Sequence, residues 1–250
     1  METETRLIID PAADGAWNMS VDQALLETVE QTGQMTLRIY RWQTATISLG
    51  YFQAYDARTQ HPPSLNCPIV RRRTGGGAIV HDEELTYSLC VPSSERWASQ
   101  NGELYDLVHN SVIELLREYD VEAYLFGHRP GEATRADKDR FLCFQRRAEG
   151  DLIVGDSKLG GSAQRRLKKS LLQHGSLLLK RSVSAPELPG LEDLTGVQVQ
   201  DDAFVSKWTH LLASALRTSF TEGSLRPAEK QAAEEYRSTL FQNDTWTKNR

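Results

Sequence analysis

Short apolar runs closed by Gly and Pro alternate along this chain with longer stretches in which apolar residues return every three or four positions, the patterns of strands and helices respectively. Arg6 to Ile9 reads as a first strand, ended by Pro11 and Gly15. Val21, Ala24, Leu25 and Val29 then recur at helical spacing, and Ser20 with Gln23 makes a capping-box signature, so a helix is predicted to run to Thr32. Asn18 and Asp22 are assigned to capping and holding that helix rather than to substrate. Leu37 to Trp42 and Thr46 to Leu49 are strand-like, and His61-Pro62-Pro63-Ser64 breaks the pattern as a surface loop. Extended segments follow from Ile69, over Ala78 to His81 and over Leu85 to Val91.

Asn101 to Tyr119 is a second helix, with Leu104, Leu107, Val108, Ser111, Val112, Leu115 and Leu116 on one face and Tyr105 and His109 on its outer or flanking surface. Gly127 to Arg140, polar and mixed in charge, predicts a mobile loop that closes over a bound group. Asp151 to Val154 is a strand turning at Gly155-Asp156, and Leu171 to Leu179 is another, buried on both faces at its end. Pro186 and Pro189 mark a linker. Phe204, Trp208, Leu211, Leu212, Ala215 and Leu216 trace a third helix, Pro227 to Leu240 a fourth, and the last ten residues are expected to fray. Strands clustered at 37–91 and 151–180, with helices between and after, make the fold class α+β.

Composition narrows the function. The 250 residues suffice for one substantial core, read as a catalytic core over 1–182 with a C-terminal helical segment, 183–250, packed on it. The balance of 29 basic and 34 acidic residues, a net charge of −5, argues against a general nucleic-acid binder. No apolar run reaches the length of a spanning helix, and METETRLIID lacks the basic-then-apolar layout of a signal peptide, so no membrane association is expected. Cys67, Cys90 and Cys143 are odd in number and show no metal-ligand spacing, which suits a reducing cytoplasm and predicts no metal site.

Two stretches carry candidate chemistry. In the first, a strand delivers Arg71, Arg72 and Arg73 into Thr74 and then Gly75-Gly76-Gly77, ahead of His81. Such a loop gives up side chains for backbone contact, either as the wall of a slot for an acyl chain or as a phosphate cradle. No Gly-Lys-Ser/Thr closes it, so it is not the phosphate loop of nucleotide hydrolases. In the second, Cys143 precedes the turn that carries Lys158, and Gly160-Gly161-Ser162-Ala163 follow as a small-residue loop that lets a ligand lie against backbone N–H groups. His174 and Gly175 interrupt the next strand, and a strand Gly often marks a close approach. Cys143 is either a nucleophile, its thiol acidified by Arg146, Arg147 and Lys158, or a small apolar residue between Leu142 and Phe144. Cys67 and Cys90 are read as packing. Arg71 to Arg73, Arg146-Arg147 and Arg165, Arg166, Lys168 and Lys169 flank these motifs and can attract an acidic carrier protein.

The segments RRRTGGGAIVH (71–81) and KLGGSAQRR…HGSLLL (158–179), with NMSVD (18–22) and SLGYFQ (48–53) in order before them, resemble the lipoate-protein ligase and octanoyltransferase family over about residues 7–180. That resemblance implies a biotin/lipoyl-synthetase-like fold, a mixed and largely antiparallel sheet of six or seven strands flanked by helices. Transferases of the family carry a cysteine in a Cys-Phe context ahead of the lysine loop, as Cys143-Phe144 stands here. The implied reaction is ping-pong transfer of octanoyl from acyl carrier protein, through an acyl-Cys143 thioester, to the lysine of a lipoyl domain or glycine-cleavage H protein. Lys158 then serves the carbonyl oxygen or a proton transfer, with Lys158 and His81 as candidate bases, and no cofactor is required. Arg72, Gly75 to Gly77, His81, Gly160 to Ala163 and His174 form the expected substrate site, and Arg71, Arg73, Arg165 and Arg166 the carrier-docking face of a monomer. The alternatives are an ATP- and Mg-dependent lipoate ligase, a lipoyl amidotransferase, and a non-catalytic acyl- or lipoyl-domain-binding protein.

Overall fold

The computed structural model describes residues 3–99, 102–129 and 140–250. The elements run β1 (Thr3–Ile9), α1 (Gly15–Thr32), β2 (Thr36–Tyr40), β3 (Thr46–Leu49), β4 (Ile69–Arg71), β5 (Ile79–His81), β6 (Glu84–Pro92), α2 (Arg96–Ser99), α3 (Glu103–Arg117) and β7 (Ala123–Leu125). They continue with β8 (Leu152–Val154), β9 (Ser157–Arg166), β10 (Ser170–Leu178), α4 (Leu191–Thr195), α5 (Asp201–Leu216), β11 (Thr218–Glu222), α6 (Pro227–Tyr236) and α7 (Asp244–Thr247). Most of the loop expected over 127–140, its positions 130–139, lies outside the described residues, as does the first residue of the predicted second helix.

Eight strands form one sheet in the order β11-β1-β2-β6-β10-β9-β8-β7, and β4-β3-β5 form a second, smaller one. The large sheet is parallel only where β1 meets β11 and β2, and antiparallel everywhere else. Both its faces are covered. Val108, Val112 and Leu116 of α3 and Phe204, Trp208 and Leu212 of α5 pack on Leu37, Leu89 and Leu171, while Val21, Leu25 and Leu26 of α1 and Ala233 of α6 pack on Ile8, Cys90 and Leu172. Successive strand residues point to opposite faces. Leu171 and Leu172 therefore enter different cores, and the apolar run of β10 reflects a strand enclosed on both sides.

Helix α1 begins earlier than the capping-box reading predicts. Asp14 is the N-cap, accepting from Trp17 N at 2.9 Å, and Ser20 lies inside the helix with its hydroxyl donated to Ala16 O at 2.6 Å. The C-terminal segment is not purely helical: β11, with its single apolar residue Phe220, adds an edge strand, tied to β1 by a 2.8 Å contact between Thr218 and Thr5 hydroxyls. Nor do the last residues fray. Thr247 O accepts from Arg71 Nε and Nη2 at 3.1 and 2.8 Å, and Trp246 Nε1 donates to Arg71 O at 2.8 Å. Among the described residues no helix is long and apolar enough to cross a membrane.

Candidate active site

The glycine loop is wound around Arg72. This guanidinium is buried and donates to Gly75 O and Gly77 O, both at 2.7 Å, and to Ser48 O at 2.8 Å. Burial pulls its pKa down to about 10, which leaves it a cation at neutral pH. Gly76 turns with φ +93°, and a β-carbon on Gly50 would fall 2.0 Å from Gly76 O. These glycines answer to backbone geometry. Arg72 thus shapes the loop from behind through its backbone carbonyls.

The same loop holds Cys143. Cys143 N donates to Ala78 O at 2.7 Å and Ala78 N to Phe141 O at 3.1 Å. A β-carbon on Gly77 would meet Cys143 N at 3.0 Å. Cys143 opens the short helical turn Cys143–Gln145 and is partly exposed. From the neighbouring sheet, Lys158 sends Nζ to 3.7 Å from Cys143 Sγ and 2.8 Å from Asp151 Oδ2. Burial would depress Lys158, but the Cys143 sulfur and the Asp151 carboxylate outweigh it and hold the amine above the ordinary lysine value. Lys158 is therefore a fixed ammonium beside the sulfur and no base. Arg146 and Arg147, expected to share that role, donate to Arg140 O and Asp156 O.

Gly160 to Ala163 are not a loop but the middle of β9, paired with Leu177, Ser176, Gly175 and His174 of β10. Their absent or small side chains let other groups through. A β-carbon on Gly161 would strike Lys158 Cε at 2.6 Å, and one on Gly175 would strike Ser162 Oγ at 2.4 Å. The result is a cleft, about 490 Å³ with its mouth included, whose wall contains Gly75, Gly76, Cys143, Gly161, Ser162 and His174 together with the apolar Met19, Ile79 and Phe144. The two motif stretches, about eighty residues apart, meet there.

His81 and His174 line the same cleft with both ring nitrogens occupied. His81 Nδ1 lies 2.6 Å from Glu84 Oε1 and Nε2 2.7 Å from Ser48 Oγ, the ring stacking on Trp42 at 3.9 Å. Burial lowers its pKa. His174 Nδ1 contacts Asp22 Oδ2 at 3.1 Å and Nε2 contacts Thr74 Oγ1 at 2.8 Å. Asp22, raised by burial but outweighed by His174 and Arg38, stays below the usual carboxylate value. Asp22 and Asn18 both bond Arg38, so they join α1 to β2 rather than cap the helix. Neither His81 nor Lys158 is placed as a free base.

Three site groups escape the sequence reading. Asp151 holds Lys158. His109, expected on an outer surface, is buried, with Nδ1 2.6 Å from Gly150 O and Nε2 2.7 Å from Ser162 Oγ. Tyr87 OH lies 2.7 Å from the same Ser162 Oγ. The signal for His109 was present: it stands three residues before Val112 and seven before Leu116, on the apolar flank of its helix.

The expected docking residues separate by burial. Arg71 is buried, and Nη1 donates to Gly50 O and Gln53 O at 2.9 and 2.7 Å, so its charge is spent inside the fold. Arg165, half-buried, donates to Arg73 O at 3.2 Å, and the exposed Arg166 donates to Ala98 O at 2.7 Å. Arg73, Arg165 and Arg166 remain near enough to solvent to meet a partner.

Residues 14–209 match the family model described as the lipoyl protein ligase A/B catalytic domain. The Octanoyltransferase LipM of Staphylococcus aureus (strain NCTC 8325 / PS 47) is 30% identical over 274 residues, covering 98% of each chain. That of Oceanobacillus iheyensis is 37% identical over 175 residues, which span 68% of this chain and 62% of that one. Among solved structures, lipoate-protein ligase A bound with ATP aligns over 99% of both chains with a TM-score of 0.75 at 21% identity. The bi-partite lipoate protein ligase of Thermoplasma acidophilum gives 0.74 at 19% identity over 98% of this chain and 96% of that one. At such identities the structural likeness shows the shared fold.

Proposed function

The chain belongs to the lipoyl protein ligase A/B catalytic-domain family, and from that premise we propose that it is an octanoyltransferase working through an acyl-Cys143 thioester, with octanoyl-acyl carrier protein as donor and the lysine of a lipoyl domain or glycine-cleavage H protein as acceptor. The observation that carries this reading is the 3.7 Å approach of Lys158 Nζ to Cys143 Sγ at the wall of the cleft. A ligase that activates a free acid with ATP has no need of a sulfur nucleophile, whereas a transferase that takes an acyl group from a carrier thioester can hold it on one.

In the first half-reaction the Cys143 sulfur, with the Lys158 ammonium 3.7 Å away, attacks the donor's thioester carbonyl as thiolate, the nucleophilic form of a thiol. The new C–S bond forms, the donor's C–S bond breaks, and the carrier leaves as its thiolate, which takes its proton from solvent. Lys158 offers its N–H groups first to the thiolate and then to the oxyanion that replaces its charge. In the second half-reaction the acceptor amine attacks the acyl-Cys143 carbonyl, an amide forms, and Cys143 returns as thiolate. The thioester supplies the driving force throughout, so this route consumes no nucleotide. Gly75 and Gly76 with Met19, Ile79 and Phe144 offer an apolar slot for the octanoyl chain.

Intact-protein mass spectrometry after mixing with octanoyl-acyl carrier protein, without ATP, tests this. A hydroxylamine-labile octanoyl adduct on the wild type and none on Cys143→Ala is the expected outcome. No adduct, together with ATP-dependent modification of a lipoyl domain by free lipoate, would make the protein a ligase and reduce Cys143 to packing. Exchanging octanoyl-H protein for the acyl carrier as donor separates carrier transfer from amidotransfer.

A further inference from the structure

Amide formation poses a proton problem that Cys143 and Lys158 leave unsolved. A lysine ε-amine is mostly ammonium near neutral pH, and even the free amine carries one proton too many once its nitrogen has joined the acyl carbon. Lys158 is itself an ammonium, and His81 and His174 have both nitrogens engaged.

A different group faces the cleft with the right polarity. Gly150 O can only accept, so His109 Nδ1 carries the ring proton in the 2.6 Å contact between them, and Nε2 is left as an acceptor. Ser162 Oγ, 2.7 Å away, supplies the hydrogen that Nε2 needs. Behind Ser162 the pattern runs the same way: Gln173 Nε2 donates to Tyr87 OH at 2.9 Å, and Tyr87 OH, 2.7 Å from Ser162 Oγ, donates onward. The hydrogen bonds therefore all donate in one direction, from Gln173 through Tyr87 and Ser162 to His109 Nε2, and from His109 Nδ1 on to Gly150 O. A hydroxyl oxygen has two lone pairs; Tyr87 uses one on Ser162, and the other is open to a substrate N–H. Ser162 lines the cleft with Cys143, and Gly175, having no β-carbon, leaves space for its hydroxyl. Burial keeps His109 below the usual histidine value, hence neutral and ready to accept.

We infer that Ser162 and His109 form a proton relay for the second half-reaction, with Ser162 touching the attacking amine and His109 acting through it. The inference rests on the acyl-Cys143 reading. The lysine nitrogen enters as free amine and forms the C–N bond. Its surplus proton passes to Ser162 Oγ while Ser162's own hydroxyl proton passes to His109 Nε2. The C–S bond to Cys143 breaks, its electron pair returning to sulfur beside Lys158. Gly150 O, Asp151 and Asp106 favour the transient imidazolium on His109 while burial and the Lys158 ammonium oppose it, so the proton passes on to solvent rather than staying on the ring.

The two half-reactions can be timed separately, which turns the relay into a measurable ratio. Wild type, Ser162→Ala, His109→Gln and Tyr87→Phe are acylated with octanoyl-acyl carrier protein, freed of donor, and mixed with a lipoyl domain, each step followed by intact mass. Removing a general base costs about 10²–10⁴-fold, so in Ser162→Ala and His109→Gln transfer to lysine is expected to fall at least about 100-fold more than acylation. Tyr87→Phe, which keeps the serine and the imidazole, should lose less than about tenfold and so guards against a mere packing defect. Equal losses in both half-reactions, or transfer as fast as wild type, overturns the relay. Failure of the wild type to form any adduct overturns the acyl-Cys143 reading and the relay with it, an outcome distinct from either.

Discussion

Gly161 gives way to Lys158: a β-carbon at position 161 would sit 2.6 Å from Lys158 Cε, 2.9 Å from Nζ and 3.2 Å from Asp151 Oδ1. Most of what it would strike is the far end of a flexible chain, so Gly161→Ala can be accommodated by swinging the lysine aside. A displacement of about 1 Å at a catalytic group can cost about 100-fold. Gly161→Ala is expected to lower the acylation rate by that order while destabilising the fold by less than about 1 kcal/mol. Gly175→Ala is the contrast. Its β-carbon would meet Gly161 O at 2.7 Å and Tyr87 Cε1 at 2.8 Å, and overpacking against such parts costs about 1–3 kcal/mol. Denaturant melts beside single-turnover acylation would tell the two apart, and a Gly161→Ala protein of wild-type rate would remove Lys158 from the chemistry.

Asp151 fixes the charge state on which Lys158 depends. Its carboxylate is buried, 2.8 Å from Nζ, and also accepts from Ala148 N at 2.7 Å. In Asp151→Asn burial acts on Lys158 with less opposition, so its pKa falls. The wild-type amine, raised above 10.5, stays charged through the alkaline range. The variant should lose acylation activity at a lower pH than wild type does, with the same acidic limb. Acylation rates measured across an alkaline pH series test this, and an unmoved alkaline limb would mean that Asp151 contributes only packing.

Buried histidines make stability fall with acid. His81 and His109 are both held below the ordinary 6.5, chiefly by burial. The unfolded chain takes up protons at that value while the folded chain does not, so stability is whole above pH 6.5 and declines as pH drops below it. Each histidine adds up to about 1.4 kcal/mol per pH unit to the slope, equivalent to about 2–4 °C in Tm for each kcal/mol. Asp22, depressed from 3.8, adds its own loss only in much stronger acid. Thermal melts between pH 7.5 and about 5 should therefore show a drop that is shallower in His109→Gln. Identical slopes would mean that His109 is already protonated in the folded state.

What was legible in the sequence follows from the range of the interactions. Strand β10 was visible because Leu171, Leu172 and Leu177 to Leu179 are apolar and contiguous, and the meeting of Cys143 with Lys158 was visible through motif resemblance. Strand β11 left no signal, since TSFTE has one apolar residue and owes its existence to pairing with β1, over two hundred positions away. Gly160 to Ala163 looked like a loop because small residues signal turns, whereas here they thin the wall between two paired strands. Asp151 was hidden by a register shift: Ile153 pairs with Lys158, but Leu152 pairs with Gly160. Charge runs misled most. Arg71, Arg72 and Arg73 are adjacent in sequence, yet the first two point inward to carbonyls and only the third keeps access to solvent.

That division gives opposite expectations for arginines a few positions apart. Arg71 satisfies the carbonyls of Gly50, Gln53 and Thr247 and so ties the segment that follows β3 to the C-terminal helix α7. In Arg71→Ala the carbonyls of Gln53 and Thr247 lose this donor, while Gly50 O keeps Gln53 N at 3.1 Å, and each carbonyl left unpaired costs about 1–3 kcal/mol. The loss should appear as a lower Tm, with a comparable effect from removing residues 244–250. Arg166 is exposed and has one carbonyl contact, to Ala98 O, so Arg166→Glu should cost no more than about 1.5 kcal/mol. Its effect belongs to encounter: a slower second-order rate with an acidic acyl carrier, strongest at low salt and fading as the Debye length shrinks below about 8 Å above physiological ionic strength. Stopped-flow acylation at several salt concentrations measures it. A rate indifferent to charge reversal at Arg166, and likewise at Arg165, would move the carrier's docking face away from this edge of the cleft.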